Sequence, residues 1–228
     1  MRLFILGATG HTGRQLTDLA LKKGHSVTVF VRSPQKVAAN GAGLRVVEGS
    51  PADIEGMEKV MQGHDAVFST LGPKPGEVFT SLSKRSWTME KFAANTSLAM
   101  DRAKVRRLVV FSSAGLFPDQ NIFVRFLSAL ARHHMADLRQ MEKVVVESPL
   151  DWTIVRPVWM GPGEDERYRA EVGALPAGAM KLSFGRWQNA CWTRSKAVSI
   201  RDRSSGWEGD IPNASACLGR AVKTGRGR

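Results

Sequence analysis

Six short runs of apolar, largely β-branched residues punctuate the first 160 positions: Leu3–Leu6, Val27–Val31, Leu44–Val47, Ala66–Thr70, Leu108–Phe111 and Trp152–Val155. Each is continuous rather than alternating, the pattern of strands buried on both faces of a parallel sheet. Amphipathic stretches lie between them. Thr12–Lys23 sets Leu16, Leu19 and Ala20 on one face and stops at Gly24, a helix-ending residue. Ser86–Lys104 carries Phe92, Ser97 or Leu98, and Met100 at mixed helical spacing, and Ile122–Ala131 is an apolar, helix-like stretch. Ala136–Ser148 carries Met141, Val144 and Val145, with Pro149 just beyond. Strands alternating with helices at these distances predict an α/β fold, a doubly wound parallel sheet with right-handed crossovers and helices on both faces. No internal repeat or long linker interrupts it, so one domain is expected.

The pattern changes near residue 184. Residues 185–228 hold nine Lys/Arg against three Asp/Glu, half of the chain's +12 formal charge, together with Trp187, Trp192, Trp207, both cysteines and few aliphatic residues. We expect a domain over 1–184 and an atypical basic tail over 185–228, poorly ordered because it has little apolar surface to offset ordering entropy. Read one nucleotide out of frame with suitable degenerate codons, Phe184–Trp192 yields Ser-Asp-Val-Gly-Lys-Met-Leu-Val-Gly. That reading makes the tail a frameshifted or alternatively spliced end. The competing reading, a basic tail for nucleic acid or membrane, lacks any periodicity to array its charges.

With 43% hydrophobic and 24% charged residues, the 228-residue chain is not disordered as a whole. No window approaches eighteen uncharged apolar residues, and the run after Met1-Arg2 ends at Gly7, too short for a secretory signal. A soluble, cytoplasmic protein with no membrane or nucleic-acid partner is expected. Cys191 and Cys217 alone form neither a disulfide framework nor a zinc spacing, so no metal is expected.

The strongest chemical signal is Gly7-Ala8-Thr9-Gly10-His11-Thr12-Gly13, between the first strand and the first helix. Three glycines at this spacing permit a tight turn, close approach to a pyrophosphate, and packing of helix on strand. The helix N-terminus supplies free N–H groups and a positive dipole end. Thr12 is placed to cap the helix or bind a phosphate oxygen. Strand two ends in Val31-Arg32-Ser33, without the carboxylate that holds NAD ribose hydroxyls. A guanidinium fork at Arg32, with donors from Ser33 and Lys36, suits a 2′-phosphate, so NADP(H) is favoured over NAD(H).

That loop, with Val31-Arg32-Ser33, Thr70-Leu71-Gly72, Phe111-Ser112-Ser113-Ala114-Gly115 and Trp152-Thr153-Ile154-Val155-Arg156-Pro157, resembles an atypical short-chain dehydrogenase. The nearest group is the NAD(P)H-binding one that includes flavin reductase/biliverdin-IXβ reductase and NmrA-like proteins. The resemblance runs over about residues 1–184. It implies a Rossmann fold with a dinucleotide along the C-terminal strand edge, lined by Thr70, Leu71, Gly72, Ser112 and Pro157. It also implies a catalytic Ser113 beside the nicotinamide, and a substrate pocket built partly by Pro157, Val158 and Trp159. Three departures stand out. Ser50 follows Gly49 where the family often has Asp against the adenine. The only tyrosine, Tyr168, is followed four residues on by Val172, so the Tyr-x-x-x-Lys pair is missing. Past Gly173-Ala174-Leu175-Pro176 the family's last helix and strand do not follow.

Other candidates have plainer readings. His133 and His134 are expected between two helices as solvated end residues, since adjacent histidines point apart on a helix. His11 shapes the loop entrance, and His25 and His64 look like turn residues. Arg139 and Glu142 share a helix face as an ion pair would. Glu164-Asp165-Glu166-Arg167 is a solvated run or a mobile lid, and Trp159 and Met160 are either an apolar wall for an acceptor or core. The sequence therefore predicts an NADPH-dependent oxidoreductase passing hydride to a flavin, quinone or similar conjugated small-molecule acceptor, as a monomer or weak dimer. The alternative is an NADP-binding redox sensor without turnover. An epimerase or dehydratase is disfavoured by the missing tyrosine.

Overall fold

The computed structural model describes residues 1–72, 88–117, 125–126, 128–129, 131–157, 159–161 and 181–183. Six strands, β1 (Arg2–Leu6), β2 (Ser26–Val31), β3 (Leu44–Glu48), β4 (Ala66–Ser69), β5 (Arg107–Phe111) and β6 (Asp151–Val155), form one parallel sheet in the order β3-β2-β1-β4-β5-β6. Two three-residue strands, β7 (Trp159–Gly161) and β8 (Lys181–Ser183), pair separately. The helices described from end to end are α1 (His11–Lys22), α2 (Ile54–Met61), α3 (Thr88–Arg102) and α4 (Arg132–Glu147). This is the doubly wound Rossmann arrangement. Chain order reverses between β1 and β4, where the ligand crevice of such sheets opens.

The run Leu3–Leu6 is continuous because both sheet faces are covered. Leu3 and Ile5 enter one core with Leu16, Ala20, Val27 and Val29, under α1. Phe4 and Leu6 enter the other with Met57, Met61, Met100 and Val145, under α2, α3 and α4. These four β1 side chains are fully buried, and Arg2 at the strand's start is exposed. β3 departs from the expectation of two buried faces. It is an edge strand, and Arg45, Val46 and Glu48 are exposed.

Local chemistry ends α1 as its sequence predicts. Gly24 adopts φ +75, its N–H reaches Leu21 O at 2.9 Å, and His25 N–H reaches Ala20 O at 3.0 Å. This pair of bonds satisfies the helix's last carbonyls. Two elements differ from the sequence reading. α2 was not expected. Asp53 caps it through Gly56 N–H at 2.9 Å, and Met57 and Met61, one turn apart, are both fully buried. Burying each contributes about 1.5–3 kcal/mol, more than the ~1 kcal/mol that Gly56 costs inside a helix. α4 begins at Arg132 rather than Ala136, which puts His133 and His134 in its first turn instead of between helices. Half of the stretch 122–131 lies outside the described residues; within it Arg125, Phe126, Ser128 and Ala129 are helical, in keeping with the helix-like reading. The run 164–167, Tyr168 and the tail 185–228 lie outside the described residues.

Candidate dinucleotide site

The glycine loop forms at the C-terminal end of β1. Gly10 N–H closes the turn on Gly7 O at 2.9 Å, and Gly7 has φ +80. Thr70, just past β4, stitches the loop from beneath. Its Oγ1 donates to Leu6 O at 2.8 Å and its N–H donates to the same carbonyl at 3.0 Å. A Cβ on Gly13 would lie 2.2 Å from Gly7 O and 2.7 Å from Thr70 Oγ1, so this glycine is the close helix–strand contact. A Cβ on Gly10 would meet only Gly7 O, at 3.3 Å, and Gly10 has an ordinary φ of −75. Conformation does not require glycine there, whereas an approaching phosphate would. These three roles fit a dinucleotide pyrophosphate.

The first turn of α1 carries no acidic residue, and its N-cap, Gly10, gives no side-chain cap. Thr12 lies inside the helix rather than capping it, a correction to the sequence expectation. Arg32 is exposed directly after buried Val31, and Ser33 begins a short turn in which Lys36 N–H reaches Ser33 O at 3.0 Å. Sequence reasoning missed Arg14. Its Nε donates to Thr9 O at 3.1 Å and its Nη2 to Lys36 O at 3.3 Å, joining the glycine loop to the turn after β2. The available signal was a cation in a helix's first turn, where the dipole favours anions. Exposed His11 has Gln15 Nε2 3.2 Å from its Nδ1.

Beyond β3, the Phe30 ring covers Gly49, where a Cβ would overlap it. Ser50 Oγ accepts from Ala52 N–H at 3.2 Å, and Asn95 of α3 donates to Pro51 O at 3.1 Å, anchoring this corner.

At the other end of the crevice, β5 and β6 stay paired past their strands. Ser112 N–H donates to Val155 O at 2.7 Å and Ala114 N–H to Pro157 O at 3.0 Å. Ser113 Oγ accepts from Gly115 N–H at 3.1 Å, which leaves its own proton for donation. Among the described residues, Ser112 Oγ is buried without a hydrogen-bond partner. Nothing among them lies within 4 Å of a Cβ added at Gly72. A small recess between α3 and the β4–β5 edge is lined by Ser69, Leu71, Phe92, Thr96 and Met141, among others. Val158 lies outside the described residues, and Trp159 contributes its backbone to β7, paired with Lys181.

The Arg139–Glu142 pair expected from spacing is not formed. Glu142 is buried and binds Arg156, while Arg139 is exposed. His64 does more than occupy a turn. It is half-buried, with Nδ1 3.0 Å from Met61 O and Nε2 2.9 Å from Thr28 Oγ1. Burial holds its pKa below the usual histidine value, as it does for His134, where nearby Asp137 opposes the shift. Among the described residues no helix is long and apolar enough to cross a membrane, and no group of three or more His, Cys, Asp or Glu could hold a metal.

Comparison with known proteins agrees with this geometry. The NAD(P)H-binding family model matches residues 7–183. An uncharacterized chloroplastic protein of Arabidopsis thaliana is 30% identical over 171 residues, 68% of this chain and 58% of that protein. A (4-alkanoyl-5-oxo-2,5-dihydrofuran-3-yl)methyl phosphate reductase of Streptomyces griseus is 28% identical over 158 residues, 68% of this chain and 46% of that protein. The chain thus spans about half the length of these relatives. Among solved structures, a short-chain dehydrogenase/reductase of Veillonella parvula in complex with NADP superposes with TM-score 0.65 at 21% identity, covering 83% of this chain and 84% of that one. An anaerobilin reductase of Escherichia coli superposes with TM-score 0.66 at 16% identity, covering 82% and 87%. A glycine loop after β1, matched together with the strands that follow it, makes this chain a member of the NAD(P)H-binding family.

Proposed function

We propose that the chain is an NADPH-preferring reductase that passes hydride to a flavin, quinone or similar conjugated acceptor. The observation that carries this reading is the arrangement at one crevice of the glycine loop, the exposed Arg32 and the Ser113 hydroxyl. With no carboxylate at the end of β2 and Arg32 in its place, the adenosine end suits a 2′-phosphate. When bound, the nicotinamide supplies the hydride. The chain's own part is to hold the pyrophosphate on the first turn of α1 and keep the β5–β6 edge paired. Ser113 then donates a hydrogen bond to the acceptor or the carboxamide. A conjugated acceptor takes its final proton from solvent, so the missing Tyr-x-x-x-Lys pair does not forbid the reaction. The Streptomyces and Escherichia proteins named above are both described as reductases, in keeping with this class.

The test is acceptor-dependent loss of reduced-nicotinamide absorbance, with NADPH and NADH in parallel and FMN as first acceptor. Faster turnover with NADPH and a sharp fall in Ser113→Ala support the reductase. A folded chain that binds NADPH but consumes none across an acceptor panel is a sensor instead.

A further inference from the structure

The glycine loop and the turn after β2 are separate pieces of chain, and Arg14 joins them through two main-chain carbonyls, Thr9 O and Lys36 O. A planar guanidinium aims its N–H groups along fixed directions, whereas a lysine ammonium on a flexible stem holds such a bridge less rigidly. The side chain is exposed and sits in the first turn of α1, where the helix dipole disfavours a cation. Packing does not require it. Among the described residues, Arg14, Arg32 and Lys36 form no ion pair, so the first turn of α1 and the turn after β2 that Arg14 reaches carry three cations without a paired protein anion.

We infer that Arg14 is a positioning residue that sets cofactor preference. By holding the Lys36 backbone against the glycine loop, it fixes the spacing at which Arg32 and Lys36 meet a 2′-phosphate. This rests on the reading of the chain as an NADPH-preferring protein. The preorganised turn loses little freedom on binding, and the benefit falls mainly on the ligand that carries the phosphate. Arg14 would therefore govern discrimination between two dinucleotides rather than affinity for both.

The experiment is direct titration of nicotinamide fluorescence, giving Kd for NADPH and NADH with the wild-type chain, Arg14→Met, Arg14→Lys and Arg32→Met. Methionine and lysine both keep helix propensity, and thermal melts confirm that each variant folds. Arg14→Met is expected to weaken NADPH about tenfold and NADH by less than about twofold, with Arg14→Lys between, a discrimination loss of roughly one decade. Equal weakening for both dinucleotides makes Arg14 a loop brace only and overturns the inference, as does an unchanged ratio. If the wild-type chain shows no NADPH preference while Arg32→Met changes nothing, the NADPH reading fails, and this inference with it. If wild type and Arg32→Met differ as expected but Arg14 variants do not, only the role of Arg14 fails.

Discussion

The Glu142 carboxylate on α4 accepts two hydrogen bonds from one edge of the Arg156 guanidinium, Nε to Oε1 at 2.9 Å and Nη2 to Oε2, at the point where β6 gives way to Pro157. Both side chains are largely buried, at 15% and 9% exposure for arginine and glutamate. The guanidinium also lies over the Phe117 ring, 5.0 Å from its centroid. A bond pair with this burial ties α4 to the strand edge that carries Ser113 and Pro157. Removing one partner leaves the other charged, buried and unpaired, at a cost of about 3–5 kcal/mol. Glu142→Ala and Arg156→Ala are each expected to show that loss in denaturant unfolding. The double variant Glu142→Leu/Arg156→Met should recover much of it, since no charge then stays buried. Additive losses would mean that the pair is not coupled.

Gly10 and Gly13 lie three residues apart and fail in different ways. Alanine at Gly13 puts a methyl 2.2 Å from the Gly7 carbonyl, and backbone cannot give way cheaply. Gly13→Ala should cost about 1–3 kcal/mol of stability despite alanine's better helix propensity. Gly10→Ala meets only Gly7 O at 3.3 Å and should cost at most about 1 kcal/mol, the loss of a tolerated cap residue. Its methyl instead occupies the phosphate approach, and dinucleotide affinity should fall more than about tenfold. Unfolding curves beside binding titrations separate the two; a Gly10→Ala variant that binds normally would remove the close-approach role.

The six strands and the glycine loop are legible in sequence because their causes are local. A strand buried on both faces needs a continuous apolar run, and the loop needs glycine at fixed spacing. α2 was not legible, since two turns holding Gly56 show too short a period. Its markers were Asp53 and the Met57/Met61 repeat. α4 starts early because Arg132, His133 and His134 are polar and hide the first turn from a hydrophobic pattern. The pairings were harder still. Glu142 has a plausible partner three residues away in Arg139, yet the helix rotation fixed by Leu138, Met141 and Val145 turns Glu142 inward to meet Arg156. Arg14 likewise reaches a carbonyl 22 positions on, a distance that no periodicity encodes.

Asp137 illustrates the same long reach and carries its own prediction. Buried on α4, it accepts from Met89 N–H and Glu90 N–H, each at 3.1 Å, and so caps α3 from a neighbouring helix. Asp137→Ala leaves two helix-start donors without this acceptor and should cost about 1–3 kcal/mol. Asn can replace one bond and should cost less. Asp137 also raises the His134 pKa against the dominant lowering by burial. Either substitution should therefore move the His134 titration further down in NMR. An upward movement would contradict the assignment.

His64 predicts the sign of a pH effect. Nδ1 faces a carbonyl, Met61 O, and must donate, so Nε2 accepts from the Thr28 hydroxyl. The Phe4 ring meets the imidazole edge-on, centroids 5.6 Å apart. This surrounding suits the neutral ring, and burial is the main cause of a folded pKa below 6.5, with Arg2 and Arg45 adding to it and backbone bonds opposing. The unfolded chain therefore binds more protons than the folded one between the folded pKa and 6.5, so stability rises with pH there. The contribution is intact above pH 6.5 and is lost as pH falls toward the folded value. His25 and His134 are also lowered by burial and tilt the curve the same way, so the readout is a difference. Subtracting the stability–pH curve of His64→Gln from that of wild type should leave a positive slope below pH 6.5 and a flat line above it. A flat difference throughout would show that His64 titrates alike in both states.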